Sequence, residues 1–362
     1  MDKRCAAYCI DLIRCLMQEK PIPQIPEGVS LEDLYAFAKL HGVEAMVFHG
    51  LELLDMDEKD PVWQDWRKRT DMLLAQSIVQ LTERDALFAA LPAAGIPILP
   101  VKGCWLKERY PQIDYRQMSD LDILIPKQDA SLAAQVMERL GYTGEEEGAD
   151  HHSGYTKLPF VSVELHTALL RKENLHHIYY KNVWKKATSD NDGYVYRLSP
   201  EDAYIYYMLH MMNHVLYAGT GIRTFLDSVV YRRSCPNMDR AYLEKEFRKL
   251  GIHTFARTAE KLADCWFVTG EAVPEKYEAL EESIFAAGTY GREATVGGDE
   301  IVVFRYPLRF RVSAFWARVF PDREDLAQRY PVLNRLPFLL PLFWLIRIVR
   351  VAVRSVTKTP AR

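Results

Sequence analysis

The stretch from Ile98 to Ile125, ILPVKGCWLKERYPQIDYRQMSDLDILI, constrains this chain more than any other. Its last part sets Asp120 and Asp122 two positions apart inside an apolar run of Leu121, Ile123, Leu124 and Ile125. Such a run reads as a buried strand, and side chains two apart on a strand share a face. Two carboxylates then project together from an otherwise buried element, where they repel each other and are costly to desolvate. A divalent cation with oxygen ligands is the usual compensation.

The rest of the chain is built around that stretch. With 362 residues, 49% of them hydrophobic, it has enough length and apolar content for a sizeable core in two or three domains. A formal net charge of -3 gives no global pull toward nucleic acid, so any attraction for an anion has to be local. The six cysteines, Cys5, Cys9, Cys15, Cys104, Cys235 and Cys265, form no CxxC pair. They read as reduced thiols of a cytoplasmic protein. The N-terminus lacks the apolar core and small-residue cleavage site of a signal peptide.

Residues 1–94 read as a helical layer. Ser30 caps one helix, and Pro61 to about Leu91 forms one long helix with a stripe of Trp63, Trp66, Leu73, Leu74, Ile78, Leu81 and Phe88. The period changes at Gly95, and residues 95–198 read as a mixed core. A strand over Ile96 to Val101 is followed by the Lys102-Gly103 turn and a helix over Cys104 to Arg109. The acidic strand comes next, then a helix over Asp129 to Leu140. Glu145 to Ser153 reads as a loop or exposed edge strand, and VSVELH, Val161 to His166, alternates as a strand bearing Glu164.

A short strand over Gly193 to Leu198 leads into a helical region, 199–330. Its first helix, Pro200 to about Tyr217, carries His210 and His214, and the next carries Arg223 and Asp227. A small strand is expected over Gly297 to Arg305. Residues 331–362 form an apolar tail whose arginines deny it the roughly 20 uncharged residues of a spanning helix. The tail reads as a packed helix. Its basic, acid-free character also suits peripheral contact with an anionic surface. The whole is an α+β protein: a small mixed β-sheet core between helical N-terminal and C-terminal regions.

Three acids on neighbouring strands, preceded by a glycine turn, suit metal-assisted phosphoryl chemistry. Two ions about 3.5–4 Å apart can orient a triphosphate and stabilise a leaving pyrophosphate. One strand cannot surround two ions, so Glu164 has to supply the second strand. Lys102 and Arg116 flank the acids and can meet phosphates. The order Lys102-Gly103, Arg116, Asp120-Leu-Asp122, Glu164-Leu-His166 resembles the nucleotidyltransferase superfamily related to DNA polymerase β. More narrowly it resembles the bacterial uncharacterised nucleotidyltransferase family, most strongly from about residue 95 to 230.

That resemblance implies Asp120, Asp122 and Glu164 as catalytic metal ligands. It implies two Mg2+ ions, or Mn2+, with an NTP donor and a hydroxyl-bearing acceptor. Gly103 would open the phosphate turn, beside Lys102 and Arg116. The chain departs from the superfamily's Gly-Ser at this turn, having Cys104 after Gly103. An inactive nucleotidyltransferase fold used for binding, or a related phosphotransferase, therefore stand as alternatives. His166, His210 and His214 are candidates for an acceptor pocket, although His210 and His214 also read as buried core histidines. His151 and His152 sit in the polar loop. Arg116 reads equally as a structural salt-bridge partner of Asp114 or a nearby acid, and Arg223 and Asp227, four apart on a helix, as partners of each other.

Overall fold

The computed structural model describes residues 3–144, 152–170, 174, 176–189, 193–289, 320, 323, 326, 330 and 332–345. The strand expected over Gly297 to Arg305, His151, the side chain of His152 and the tail beyond residue 345 lie outside these. The chain forms two compact units. The first takes Met1–Leu169 and Tyr180–Arg305, and the second Leu170–Tyr179 and Tyr306–Arg362.

In the first unit α1 (Lys3–Leu16), α2 (Leu31–His41), α3 (Glu44–Leu51) and α4 (Pro61–Ala93) precede the sheet. The capping expected at Ser30 is present: its hydroxyl accepts from the Asp33 N–H, and Gly42 ends α2 in the left-handed region. Asp60 caps α4 with Pro61 in the first turn, where a missing N–H costs nothing.

The long helix is present, but its stripe differs from the expectation. Leu74 and Ile78 face solvent, 39% and 52% exposed. The buried positions are Trp63, Trp66, Thr70, Leu73, Ser77, Gln80, Arg84, Leu87 and Leu91, alternately three and four apart. Four of these nine are polar, which hides the stripe from a hydrophobicity pattern.

The sheet follows: β1 (Leu99–Pro100), α5 (Gly103–Leu106), β2 (Leu121–Leu124), α6 (Ala130–Arg139), β3 (Thr143–Gly144), β4 (His152–Lys157) and β5 (Val161–His166). Its strand order is β1-β2-β5-β4-β3. Of the described strand pairs in this sheet, only β2 and β5 run parallel, with Asp122 opposite Glu164 and Leu124 opposite His166. The helix expected over Cys104 to Arg109 is one α turn followed by a 3-10 turn, Lys107–Arg109. Strand β4 reaches further than the expected loop or edge, because its polar sequence pairs over six positions with β5.

The two faces of the sheet differ. On one, Leu121, Ile123, Val161, Val163 and Leu165 pack with Leu87 and Leu91 of α4 and Val136 and Met137 of α6. Each fully buried aliphatic side chain there contributes about 1.5–3 kcal/mol. Strand alternation then turns Asp122, Glu164 and His166 to the other face.

A helical turn, α7 (His177–Tyr180), follows β5 in the chain. A two-stranded ribbon, β6 (Thr188–Ser189) and β7 (Tyr196–Arg197), precedes α8 (Pro200–Asn213), which runs on as one π turn, His214–Ala218. Then come α9 (Ile222–Ser234), α10 (Arg240–Leu250), α11 (His253–Asp264) and α12 (Glu278–Ala287). In the second unit α13 (Val332–Arg335) carries Leu333, which is buried with Leu326 and packs with Tyr330, Phe343 and Trp344. No described helix is long and apolar enough to cross a membrane.

Candidate active site

Backbone strain marks one residue of the site. Between β1 and α5, Lys102 has φ 51 and ψ −116, outside the regions an L side chain ordinarily adopts. Such a conformation costs on the order of 1–3 kcal/mol and persists only where the surroundings impose it. The elbow aims the lysine at the acids, and its Nζ donates to Asp122 Oδ1 at 2.9 Å. Lys102, not Gly103, therefore carries the positive φ. Gly103 is small for a different reason: a Cβ there would lie 2.6 Å from Arg116 Nη1 and 2.8 Å from Met118 Sδ. As α5 is a single turn, its dipole adds little to anion binding.

The parallel register delivers the acids. Asp122 and Glu164 are direct cross-strand partners, and His166 lies two residues beyond Glu164 on the same face. His166 Nε2 is 2.7 Å from Asp122 Oδ1 and 3.3 Å from Glu164 Oε2. One donor atom from each of Asp122, Glu164 and His166 falls within 4.8 Å of the other two, the only such metal-capable group among the described residues. Asp120 lies one residue before β2, and its Oδ1 accepts from Ser119 Oγ at 3.1 Å. It borders the group without joining it.

Charges at the site are strongly coupled. Burial alone would raise the Asp122 carboxyl, but Lys102 and His166 hold it below the usual carboxylate range. The Asp120 carboxyl is raised by burial and by Asp122 and Glu164, with Lys102 opposing. Burial also lowers the His166 imidazole, yet its bonds to Asp122 and Glu164 raise it overall. Three carboxylates against one ammonium and one imidazole leave excess negative charge around the buried Asp122. That balance and the oxygen-rich donor set fit a divalent cation.

Tyr206 and His210 of α8, with His214 just beyond it, lie close enough to Lys102 and Asp122 to feel their charges. The Tyr206 hydroxyl is pushed up to about 12 by burial, with Lys102 opposing and Asp122 and Glu164 adding to it. His210 is lowered by burial, Lys102 and His214, and His214 by burial, Lys102 and Arg223. Their Nε2 atoms are 2.9 Å apart, so one ring donates to the other. These shifts favour the neutral form of both imidazoles, and both feel the Asp122 charge.

Two pairings expected from the sequence change. Arg116 is not paired with Asp114, which instead meets His49 Nε2 at 2.8 Å. Nor does Asp227 pair with Arg223. Arg116 forms two bonds with Asp227, at 2.9 and 3.0 Å, and Tyr110 donates to the same carboxylate at 2.6 Å. Arg223 instead donates to the Gln117 carbonyl at 3.0 Å. Position 104 is also clarified. The Cys104 thiol donates to the Asp122 carbonyl at 3.4 Å, and burial with Asp122 pushes it up to about 12, keeping its proton. The Cys104 side chain thus supports the acidic strand.

Sequence reasoning missed the shell that holds the 103–118 segment. Arg84 donates to the Cys104 carbonyl at 3.2 Å and Gln80 to the Met118 carbonyl at 3.0 Å. Lys107, fully buried, donates to Ser77 Oγ at 2.9 Å and the Arg116 carbonyl at 2.7 Å. Ser77, Gln80 and Arg84 continue the three-four spacing of Trp63 and Trp66, but as polar residues they give no hydrophobic signal in the sequence.

Lys107 makes a pH prediction. Burial, with Arg116 adding, lowers its ammonium to about 7. In the unfolded chain it titrates near 10.4. Between these values the unfolded chain binds more protons. Folding stability should therefore rise with pH from about 7 to about 10, by at most about 1.4 kcal/mol per unit. Urea unfolding of wild type and Lys107→Met at pH 7 and 9 checks this. The difference in stability between the two proteins should shift in favour of wild type as pH rises, and a constant difference would remove Lys107 as the cause.

The family model described as uncharacterised nucleotidyltransferase matches residues 27–268, more than half of the chain. No curated protein and no solved structure matches.

Proposed function

The chain belongs to the uncharacterised nucleotidyltransferase family, and from that premise we propose that it moves a nucleoside monophosphate from an NTP to a hydroxyl acceptor, releasing pyrophosphate. One observation carries the reading: Asp122 and Glu164 meet across the parallel β2–β5 register, directly beside the strained Lys102 elbow. Asp120, Asp122 and Glu164 would hold the divalent ions, Mg2+ or Mn2+. When bound, the ions supply charge neutralisation for the triphosphate and the leaving pyrophosphate.

The chain's own groups divide the remaining work. Lys102, released from Asp122, reaches the phosphates as a point charge. Glu164 takes the proton of the acceptor hydroxyl. The acceptor oxygen bonds to the α-phosphorus, the bond from that phosphorus to the β-bridging oxygen breaks, and pyrophosphate leaves. Tyr206, His210 and His214 line the acceptor side and help exclude water. Gly103 keeps the elbow tight against Arg116. With its guanidinium held by Asp227, Arg116 acts by positioning the turn.

Calorimetry tests this directly. Each NTP with Mg2+ is titrated into wild type and into Asp120→Ala/Asp122→Ala. One NTP should bind wild type, and the double variant should lose that binding. Mass analysis of products from the binding NTP should then give a nucleotidyl adduct. A phosphoryl adduct would instead support a phosphotransferase. Absence of binding by every NTP would favour the inactive-fold alternative.

A further inference from the structure

The three groups that the fold gathers are not the three acids expected from the sequence. His166 takes the place expected for Asp120. We propose that His166 Nε2 is a direct metal ligand, and that with Asp122 and Glu164 it makes a mixed nitrogen–oxygen site selecting Mn2+ over Mg2+. This rests on the nucleotidyltransferase reading for the site's purpose, and it names which residues set its metal.

The spacing of the donors carries the argument. Ligands at about 2.1 Å from an ion, at right angles to one another, lie about 3.0 Å apart. The distances from His166 Nε2 to Asp122 Oδ1 and Glu164 Oε2, 2.7 and 3.3 Å, bracket that edge. One nitrogen faces both carboxylates, and all three side chains come from the same face of two adjacent strands. The group is therefore built on rigid backbone, as an ion site requires. His166 is also 8% exposed and Asp122 4%, so few waters compete for their donor atoms.

The donor type sets the preference. Mg2+ favours an all-oxygen shell and keeps its waters, whereas imidazole suits the transition ions. The two carboxylates suit either ion, but Mn2+, the softer and less tightly hydrated of the two, would take the imidazole nitrogen more readily than Mg2+. Asp120, set one residue before β2, is left for a second ion that arrives with the nucleotide. Lys102 already occupies Asp122 Oδ1, where an ion would displace it toward the phosphates.

A purely supporting His166 would use the same 2.7 Å contact to orient Asp122, and spectroscopy separates the two roles. Mn2+ is bound to the nucleotide-free protein and read by pulsed electron paramagnetic resonance. Wild type should show nitrogen coupling to the ion, and growth with 15N-histidine should change it. The coupling should persist in His210→Asn and His214→Asn and vanish in His166→Asp. Calorimetry should find Mn2+ at least about tenfold tighter than Mg2+ in wild type, a margin that shrinks in His166→Asp. Bound Mn2+ without nitrogen coupling overturns the ligand assignment and leaves the transferase reading standing. Failure of both ions to bind, with or without NTP, overturns both. The wild-type and 15N measurements decide the matter even if His166→Asp does not fold.

Discussion

Asp122→Ala is expected to abolish high-affinity metal binding, lowering Mn2+ affinity at least about 100-fold, while Asp120→Ala lowers it about tenfold or less. The two acids look equivalent in Asp120-Leu-Asp122, but their places differ. Asp122 is inside β2, opposite Glu164, and its Oδ1 is met by both Lys102 and His166. Asp120 precedes the strand and bonds Ser119. Removing Asp122 therefore takes a corner from the group and also leaves Lys102 without its partner. Removing Asp120 relieves repulsion among the acids and leaves the group intact. Mn2+ titration of the two variants, followed by paramagnetic resonance, is the measurement. An equal loss in both, or a larger one in Asp120→Ala, would mean that the group is centred on Asp120.

Asp227→Ala should produce the largest loss of stability. Its carboxylate takes two bonds from Arg116 and one from Tyr110, and both Asp227 and Arg116 are buried. Removing one member of a buried pair leaves the other charge uncompensated, at a cost of about 3–5 kcal/mol. Replacing both, as Arg116→Met with Asp227→Leu, should recover much of that, since well-packed apolar residues often substitute for a buried pair without loss. Urea unfolding of the single and double variants reads the difference. A single variant within about 1 kcal/mol of wild type would show that the pair does not hold the 103–118 segment. Because Arg116 Nη1 packs where a Gly103 Cβ would be, the single variant should also loosen the elbow and weaken NTP binding.

The chemistry of the site was legible where it was local. Asp120 and Asp122 stand out because acids in an apolar run contradict burial, and VSVELH because its alternation places Glu164 and His166 on one face. Capping at Ser30 and the start of α8 at Ser199-Pro200 were legible for the same reason: a side chain and a nearby backbone group suffice. The buried stripe of α4 was not, because Thr70, Ser77, Gln80 and Arg84 look like surface residues until their partners are known.

The amino-acid sequence by itself determined the α+β pattern, the family and the two acid-bearing strands, since periodicity and short-range spacing record them. Tertiary structure alone decided which residues meet. The parallel register of β2 and β5 chose Asp122, Glu164 and His166 over Asp120. The crossing of distant segments gave Arg116 to Asp227, over 111 residues, and Lys107 to Ser77, over 30. A charged side chain in a sequence states what it can bond. Only the packing that removes water from around it determines the partner it must have.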